Sequence, residues 1–407
     1  MLSVHAADTI IQQTALDKAL FNAQNGQNTE GVTLLHSIGE ILAKDIHADR
    51  DFPPYDRVTM DGIAIHMSET THLSRHFSIE NIQAAGKPPL TLLNLQNAIE
   101  VMTGAMLPIH CNAVIPYENI DIKENNATIH VKTIHIGQNI HRKGQDKRVG
   151  ECLILKGTRI TSAEIGILAT IGQSIVEVIK KPRIAIVSTG DELIDIDEIP
   201  QAWQIRRSNV YAIAALLREK QGIEAHLYHF NDDEQAMTQG IEEILSRYDV
   251  IVMTGGVSAG KYDIVPSVLK ACGVTELFHK VAQRPGKPLW FGQTTSKTVV
   301  FGLPGNPISA YMCACRYVIT WIDTFLFTEN RPPQYISLSE DVFFTPSLTY
   351  FLQVTVKNTQ SILTAYPILN NNSGDMTRLT EATGFMELPA ERSHFHAGEL
   401  FVYYAFR

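Results

Sequence analysis

The chain has no block rich in lysine and arginine, and its 34 basic residues are outnumbered by 43 acidic ones, for a formal charge of −9. Binding to a nucleic-acid backbone by bulk electrostatics is therefore not expected, whereas a small anion held by a few placed groups is compatible with this balance. Cysteine is sparse and odd in number. Cys111, Cys152, Cys272, Cys313 and Cys315 fit neither a disulfide framework nor a zinc ribbon, so a reducing cytoplasm is the expected location. Cys313 and Cys315 stand two apart in a predicted helix, where they point to different faces and read as core. No charged segment followed by an apolar run opens the chain, and the apolar stretch from Tyr311 to Phe327 is interrupted by Arg316 and Asp323. Neither a signal peptide nor a transmembrane span is predicted. There is no internal repeat, no low-complexity tract and no local Ser/His/Asp signature, and the 15 histidines show no recognisable metal-ligand spacing.

What is present is a soluble-type composition, 44% hydrophobic and 19% charged, over 407 residues. One core does not keep growing to that size, so two to four domains are expected. Residues 1 to about 48 read as helical, with Leu16, Leu20, Val32, Leu35 and Ile38 at helix-like spacings and Gly26 and Gly31 breaking the run. From about 49 to 139, short apolar segments lie between Gly, Pro and Asn clusters, the pattern of a β-rich domain.

From Lys181 the rhythm changes to strand, loop, helix, strand. Arg183 to Thr189 is a buried-type strand. Ser208 is a plausible N-cap for a helix whose apolar positions Val210, Ile213, Leu216 and Leu217 recur at three and four, and Gly222 closes it. Strands follow at Ala225 to Phe230 and Asp249 to Thr254, with a helix opened by Asp232-Asp233 between them. This alternation predicts a doubly wound parallel sheet, in an α/β multidomain chain that closes with a small β domain at 328–407.

Ligands of such a sheet bind at the carboxyl ends of its strands, where the loops here are rich in glycine and carboxylates. They are Thr189-Gly190-Asp191-Glu192, Gly255-Gly256-Val257-Ser258-Ala259-Gly260 with Asp263, Arg284-Pro285-Gly286-Lys287-Pro288 and Leu303-Pro304-Gly305-Asn306-Pro307. Glycine brings backbone N–H groups up to an anion, and a following helix N-terminus adds positive potential. Asp191, Glu192, Asp233 and Asp263 all follow strands of one sheet, and a bound Mg²⁺ would relieve their repulsion while neutralising phosphate oxygens. Taken singly, Asp233 reads equally well as a helix cap. Lys287 and Arg284 supply charge for an oxyanion, with a solvated surface cation as the alternative. Thr59-Met60-Asp61-Gly62 and Met102-Thr103-Gly104-Ala105 each place a small polar residue beside glycine, as turns also do.

These segments, in this order, resemble the molybdopterin molybdenumtransferases, the family of the MoeA proteins and the gephyrin E domain. The similarity runs from Met60-Asp61-Gly62 through Arg142 to Asp146, Ser208-Asn209, Asp232-Asp233 and the loops above to Ser373-Gly374. It implies a transferase of molybdenum cofactor biosynthesis that inserts molybdenum from molybdate into adenylylated molybdopterin, with Mg²⁺ and release of AMP. It also implies a discontinuous N-terminal domain formed by 1–48 and 140–180, an inserted β-rich domain at 49–139, a molybdopterin-binding α/β domain at 181–327 and the C-terminal β domain.

Carried over residue by residue, the resemblance makes Asp61, Thr103, Asp233 and Asp263 catalytic and assigns the metal to Glu192, Asp233 and Asp263. It adds Pro304 and Pro307 as functional positions, and with the loops read above substrate binding is expected at Thr189, Gly190, Asp191, Gly255, Gly256, Ser258, Gly260, Arg284, Lys287, Pro304, Gly305, Asn306, Pro307 and Ser373. A homodimer is implied, with Asp61 and Thr103 completing the partner's cleft, along with transient contacts to other cofactor-biosynthesis proteins and no nucleic-acid or membrane partner. The sequence departs from the family pattern at Val58 to Ile63, at His110 to Val114 and at Gln353, where many relatives carry arginine. Two rival functions are a molybdopterin adenylyltransferase, disfavoured by the Gly-Gly-Val-Ser-Ala-Gly loop and the long chain, and a non-catalytic scaffold or carrier, disfavoured by the intact acidic set.

Overall fold

The computed structural model describes residues 1–68, 75–256, 264–326, 333–359, 362–368 and 375–407. The chain divides into two units. One comprises 44–156 and 166–174, the other 1–43, 157–165 and 175–407.

The larger unit is built on a six-stranded sheet of β1 (Ile184–Thr189), β2 (His226–Phe230), β3 (Val250–Thr254), β4 (Thr275–His279), β5 (Trp290–Gln293) and β6 (Val299–Leu303), in the order β2-β1-β3-β6-β5-β4. The four strands β2, β1, β3 and β6 are parallel, while β5 and β4 add as an antiparallel edge. The edge follows from linker length, because only residues 294–298 join β5 to β6, far too few for a parallel crossover. Every residue of β1 is buried, as a strand covered on both faces requires. Ile184 and Ile186 face one core with helices α1 (Val4–Gln24), α2 (Ser208–Gln221) and α5 (Pro307–Cys313). Ala185 and Val187 face the other core, with α3 (Glu234–Arg247) and α4 (Val265–Ala271). The chain leaves β1 for β2 on one side and returns to β3 on the other, so the topological switch point lies between the ends of β1 and β3.

Three local readings change. Helix α1 ends at Gln24, and Thr29–Thr33 is a strand paired with Ile175–Ile179. The helix buries Val4, Ala7, Ile11, Ala15 and Ala19 while Leu16 and Leu20 are exposed, because its partner presents the bulky Trp321, whose indole donates to Thr14 Oγ1 at 3.2 Å, and small side chains allow that approach. Ser208 is the first helical residue of α2 rather than its cap; Arg207 holds the cap position without a side-chain bond to the helix's free N–H groups, and Gly222 closes the helix in the left-handed conformation at φ +61°.

The last part of this unit is a small closed barrel. Thr349–Thr359 pairs with both Ile362–Pro367 and Gly384–Leu388, and the ring is completed through Gln334–Leu338 and Leu400–Ala405. The smaller unit carries a curled six-stranded sheet in which Gly62–Ile65 lies between Ala98–Val101 and Ala113–Pro116. Ile63 and Ile65 fill a core on one face, and Ala64, Ile99 and Val101 fill another on the opposite face.

Candidate active site

The carboxyl ends of β1, β3 and β6 surround a cavity of about 300 Å³ at the switch point. Its wall takes Thr189 and Glu192 from the first loop, Gly255 from the second, and Gly305, Asn306 and Pro307 from the third. Hydrogen bonds tie these loops together: the backbone N–H of Gly190 donates to Phe230 O at 3.2 Å and that of Gly255 to Leu303 O at 3.3 Å, and the Asn209 side-chain Nδ2 donates to Gly305 O at 2.8 Å. Glycine is required where the second loop turns. Gly256 has φ +63°, and a Cβ there would stand 2.7 Å from Val265 Cγ2 and 2.9 Å from Thr189 Oγ1. The Thr189 hydroxyl is itself buried and, among the described residues, has no hydrogen-bond partner. A buried donor without a partner in the wall of a cavity is the kind of group a ligand satisfies.

The acidic residues divide their tasks. Asp233 caps α3, its Oδ1 accepting from Gln235 N at 2.9 Å and Ala236 N at 3.0 Å. Asp191 Oδ1 accepts from Asp232 N at 3.1 Å, which links the ends of β1 and β2. Glu192 alone of the three lines the cavity, and Asp191, Glu192 and Asp233 do not close into a three-ligand cage. Ser258, Gly260, Asp263 and Ser373 lie outside the described residues. Magnesium needs only one or two carboxylates when waters and substrate phosphates fill its other positions, so Glu192 beside this cavity fits such an ion.

A second cavity, of about 490 Å³, lies between the Arg284 to Pro288 turn and the barrel, and Asn306 belongs to the walls of both cavities. Arg284 and Lys287 are exposed along it. The turn is held from below by residues that sequence reasoning missed. Gln283 is fully buried, donates from Nε2 to Gly286 O at 2.9 Å and accepts the Tyr317 hydroxyl, which stands 34 residues away in sequence. Gly286, at φ +87°, has Cys313 Sγ beneath it, where a Cβ would approach to 2.6 Å. Across the cavity Gln353 is buried, and its Oε1 is without a hydrogen-bond partner among the described residues. The lip of the first cavity is braced similarly. Arg207 pairs with Asp195, which also accepts from the Tyr211 hydroxyl at 2.9 Å. The Arg207 bond first, then the Ile196 amide donating to Asp195 Oδ1 at 2.7 Å and the Tyr211 hydroxyl, hold the Asp195 carboxyl down at about 2.

In the smaller unit, the register Gly62↔Val101 brings the Asp61 and Thr103 turns to the same end of the sheet. Thr103 N–H donates to Asp61 Oδ1 at 2.6 Å, and this bond, with the Thr103 hydroxyl, lowers the Asp61 pKa. Gly62 has to be glycine, since a Cβ would lie 1.9 Å from Ile115 O on the neighbouring strand.

Residues 2–172 match the MoeA N-terminal region (domain I and II), 185–324 a probable molybdopterin binding domain, and 335–406 the MoeA C-terminal region (domain IV). A molybdopterin molybdenumtransferase of Synechocystis is 40% identical over 91% of this chain and 93% of its own length. The chain belongs to the MoeA family of molybdopterin molybdenumtransferases. Another so named, from Bacillus subtilis, is 31% identical over 92% of this chain and 89% of its own. A crystal structure of the molybdopterin biosynthesis MoeA protein of Pyrococcus horikoshii superposes with a TM-score of 0.79 at 28% identity, covering 93% of this chain and 94% of that one. Within the family's probable molybdopterin binding region fall the switch-point cavity and the Arg284 to Pro288 turn.

Proposed function

We propose that the chain catalyses insertion of molybdenum from molybdate into adenylylated molybdopterin, with hydrolytic release of AMP. The observation that carries this reading is the pair of cavities sharing Asn306, one with a buried partnerless hydroxyl and glycine-rich backbone, the other edged by two cations. A phosphoanhydride suits the first, where the backbone can approach an anion closely, and an oxyanion suits the second. One substrate lying past Asn306 would present its reacting end to the other. Thr189, Gly255, Gly256 and Gly305 would orient the phosphates, and Arg284 and Lys287 would hold molybdate. When bound, Mg²⁺ supplies positive charge to phosphate oxygens, and Glu192, with Asp233 and Asp263 as further candidates, would hold it. Asp61 and Thr103 would contribute from a homodimer partner. The exposed Leu16, Leu20 and Phe21 on α1 offer apolar surface suited to such an assembly. Five free cysteines, and the absence of any helix long and apolar enough to cross a membrane among the described residues, suit a cytoplasmic enzyme.

The test is AMP release by the purified protein given adenylylated molybdopterin and Mg²⁺, with and without molybdate, beside a Lys287→Ala control. Molybdate-dependent release that the control loses supports the proposal. Tight binding of the adenylylated compound without turnover would replace it with a carrier function.

A further inference from the structure

Asp341, His394 and His396 form a cluster on the barrel that none of the preceding chemistry uses. Their ligand atoms all lie within 4.8 Å of one another. Asp341 Oδ2 is 2.8 Å from His394 Nε2 and 3.5 Å from His396 Nδ1. Two donors bonded at about 2.0–2.1 Å to one ion, at angles between octahedral and tetrahedral, stand about 2.8–3.4 Å apart, so the first separation is that of neighbouring ligands and the second needs a shift of only about 0.1 Å.

The cluster is held in place. Val342–Phe343 pairs with His394–Phe395 in antiparallel register, and positions two apart on an extended chain share a face, which puts His394 and His396 on the same side. Ala397 N–H donates to Asp341 Oδ1 at 2.9 Å, so the carboxylate turns Oδ2 toward the imidazoles. Phe343 stacks on His394 with ring centroids 4.1 Å apart and planes 14° from parallel. A carboxylate fixed by an outer hydrogen bond is a recurring feature of metal sites, and the stacked ring restricts rotation of the His394 imidazole.

We propose that Asp341, His394 and His396 bind one divalent first-row transition ion of the zinc class. Two imidazoles and a carboxylate suit such an ion and suit Mg²⁺ poorly, since magnesium prefers an all-oxygen shell. The side chains are 46%, 36% and 58% exposed, respectively, which leaves room for water in the remaining positions. The site is separate from Glu192 and the switch-point cavity, and it adjoins the second cavity through Phe343, which lines that cavity and stacks on His394.

The test is a zinc titration of the full-length chain, stripped of metal and held in millimolar Mg²⁺ so that hard-oxygen sites are occupied, followed by calorimetry. Wild type should take up one equivalent of zinc that is lost, or weakened by at least about tenfold, in His394→Ala; loss of even an outer-shell partner costs that much. His396→Ala should behave alike, and because His396 is exposed and lies beyond the paired strand, it keeps the test open if His394→Ala fails to fold. Thermal melts without zinc check that each variant is folded. Equal zinc uptake by wild type and a folded variant, or no uptake by wild type, overturns the proposal.

Discussion

Asp61 and Thr103, 42 residues apart, meet through a bond of 2.6 Å from the Thr103 amide to the Asp61 carboxylate. The backbone donor is the larger cause of the lowered Asp61 pKa and the Thr103 hydroxyl the smaller. Thr103→Ala keeps the amide, so the carboxyl should move back only part of the way toward its ordinary 3.8. Because the folded value is depressed, the stability it contributes is present above the unfolded value of 3.8 and is lost as pH falls through the lower folded value. Asp61→Asn should therefore flatten the acid limb of the stability curve and abolish AMP release at neutral pH. Carboxyl titration by NMR and acid unfolding of both variants check this.

Thr189 has the opposite character, a buried hydroxyl with nothing to bind among the described residues. Thr189→Val keeps the shape and removes an unsatisfied group, so stability should be unchanged or higher by up to about 1 kcal/mol. If the hydroxyl meets substrate, adenylylated molybdopterin should bind up to about tenfold more weakly. A mutant that is at least as stable and binds equally well would remove Thr189 from the substrate contacts. Denaturant melts and equilibrium binding give the two numbers.

The loops were legible in the sequence because glycine and proline act locally. Gly222, Gly256 and Gly286 have positive φ, and Pro307 opens the helix after β6. The alternation of strand and helix from Lys181 also carried through, since its apolar positions Val210, Ile213, Leu216 and Leu217 are the buried ones of α2. What was not legible depends on partners distant in sequence. The bond from Tyr317 to Gln283 spans 34 residues, and Asp341 meets His394 across 53. The helix-like spacing of Leu16 and Leu20 likewise did not say which face of α1 is buried, because that depends on the distant Trp321, against which alanines pack while Leu16 and Leu20 stay exposed.

Gly286 tests how much the cation-bearing turn depends on close packing. A Cβ at this φ of +87° costs about 1–2 kcal/mol from backbone strain alone. It would also meet Cys313 Sγ at 2.6 Å, Gln283 Nε2 at 2.9 Å and Met312 Cε at 2.9 Å. Gly286→Ala should destabilise by more than the strain alone and reduce turnover by displacing Lys287. Adding Cys313→Ala relieves one of the three approaches, so the double mutant should recover less stability than Gly286→Ala lost. A double-mutant cycle by urea unfolding measures the coupling.

Arg316 is a different kind of dependence. It is buried, pairs with Asp8 at 2.9 Å and Glu387 at 3.4 Å, and lies over the Tyr404 ring at 4.9 Å, so it ties α1 to the barrel. Arg316→Ala leaves two carboxylates without their cation and should cost about 3–5 kcal/mol. Replacing all three charges, Arg316→Met with Asp8→Asn and Glu387→Gln, should recover most of that loss. Thermal melts that place the single and triple variants level would show that packing, not uncompensated charge, dominates.

Gln353 offers the sharpest test of the second cavity. Its Oε1 is buried and without a partner among the described residues, in a wall that also includes Arg284 and Lys287. Gln353→Leu removes the unsatisfied atom and should leave stability within about 1 kcal/mol of wild type. Gln353→Arg adds a fork of donors facing two existing cations. Without an anion the three positive charges repel, so this variant should melt lower than wild type, and more so at low salt. With molybdate present the repulsion is relieved and a charged hydrogen bond, worth about 1.5–3 kcal/mol, becomes available, so molybdate should raise its melting temperature more than it raises that of wild type. Melting curves across a molybdate series for wild type, Gln353→Leu and Gln353→Arg decide the matter, because a cavity that does not hold the oxyanion would show the repulsion of the arginine variant and no rescue.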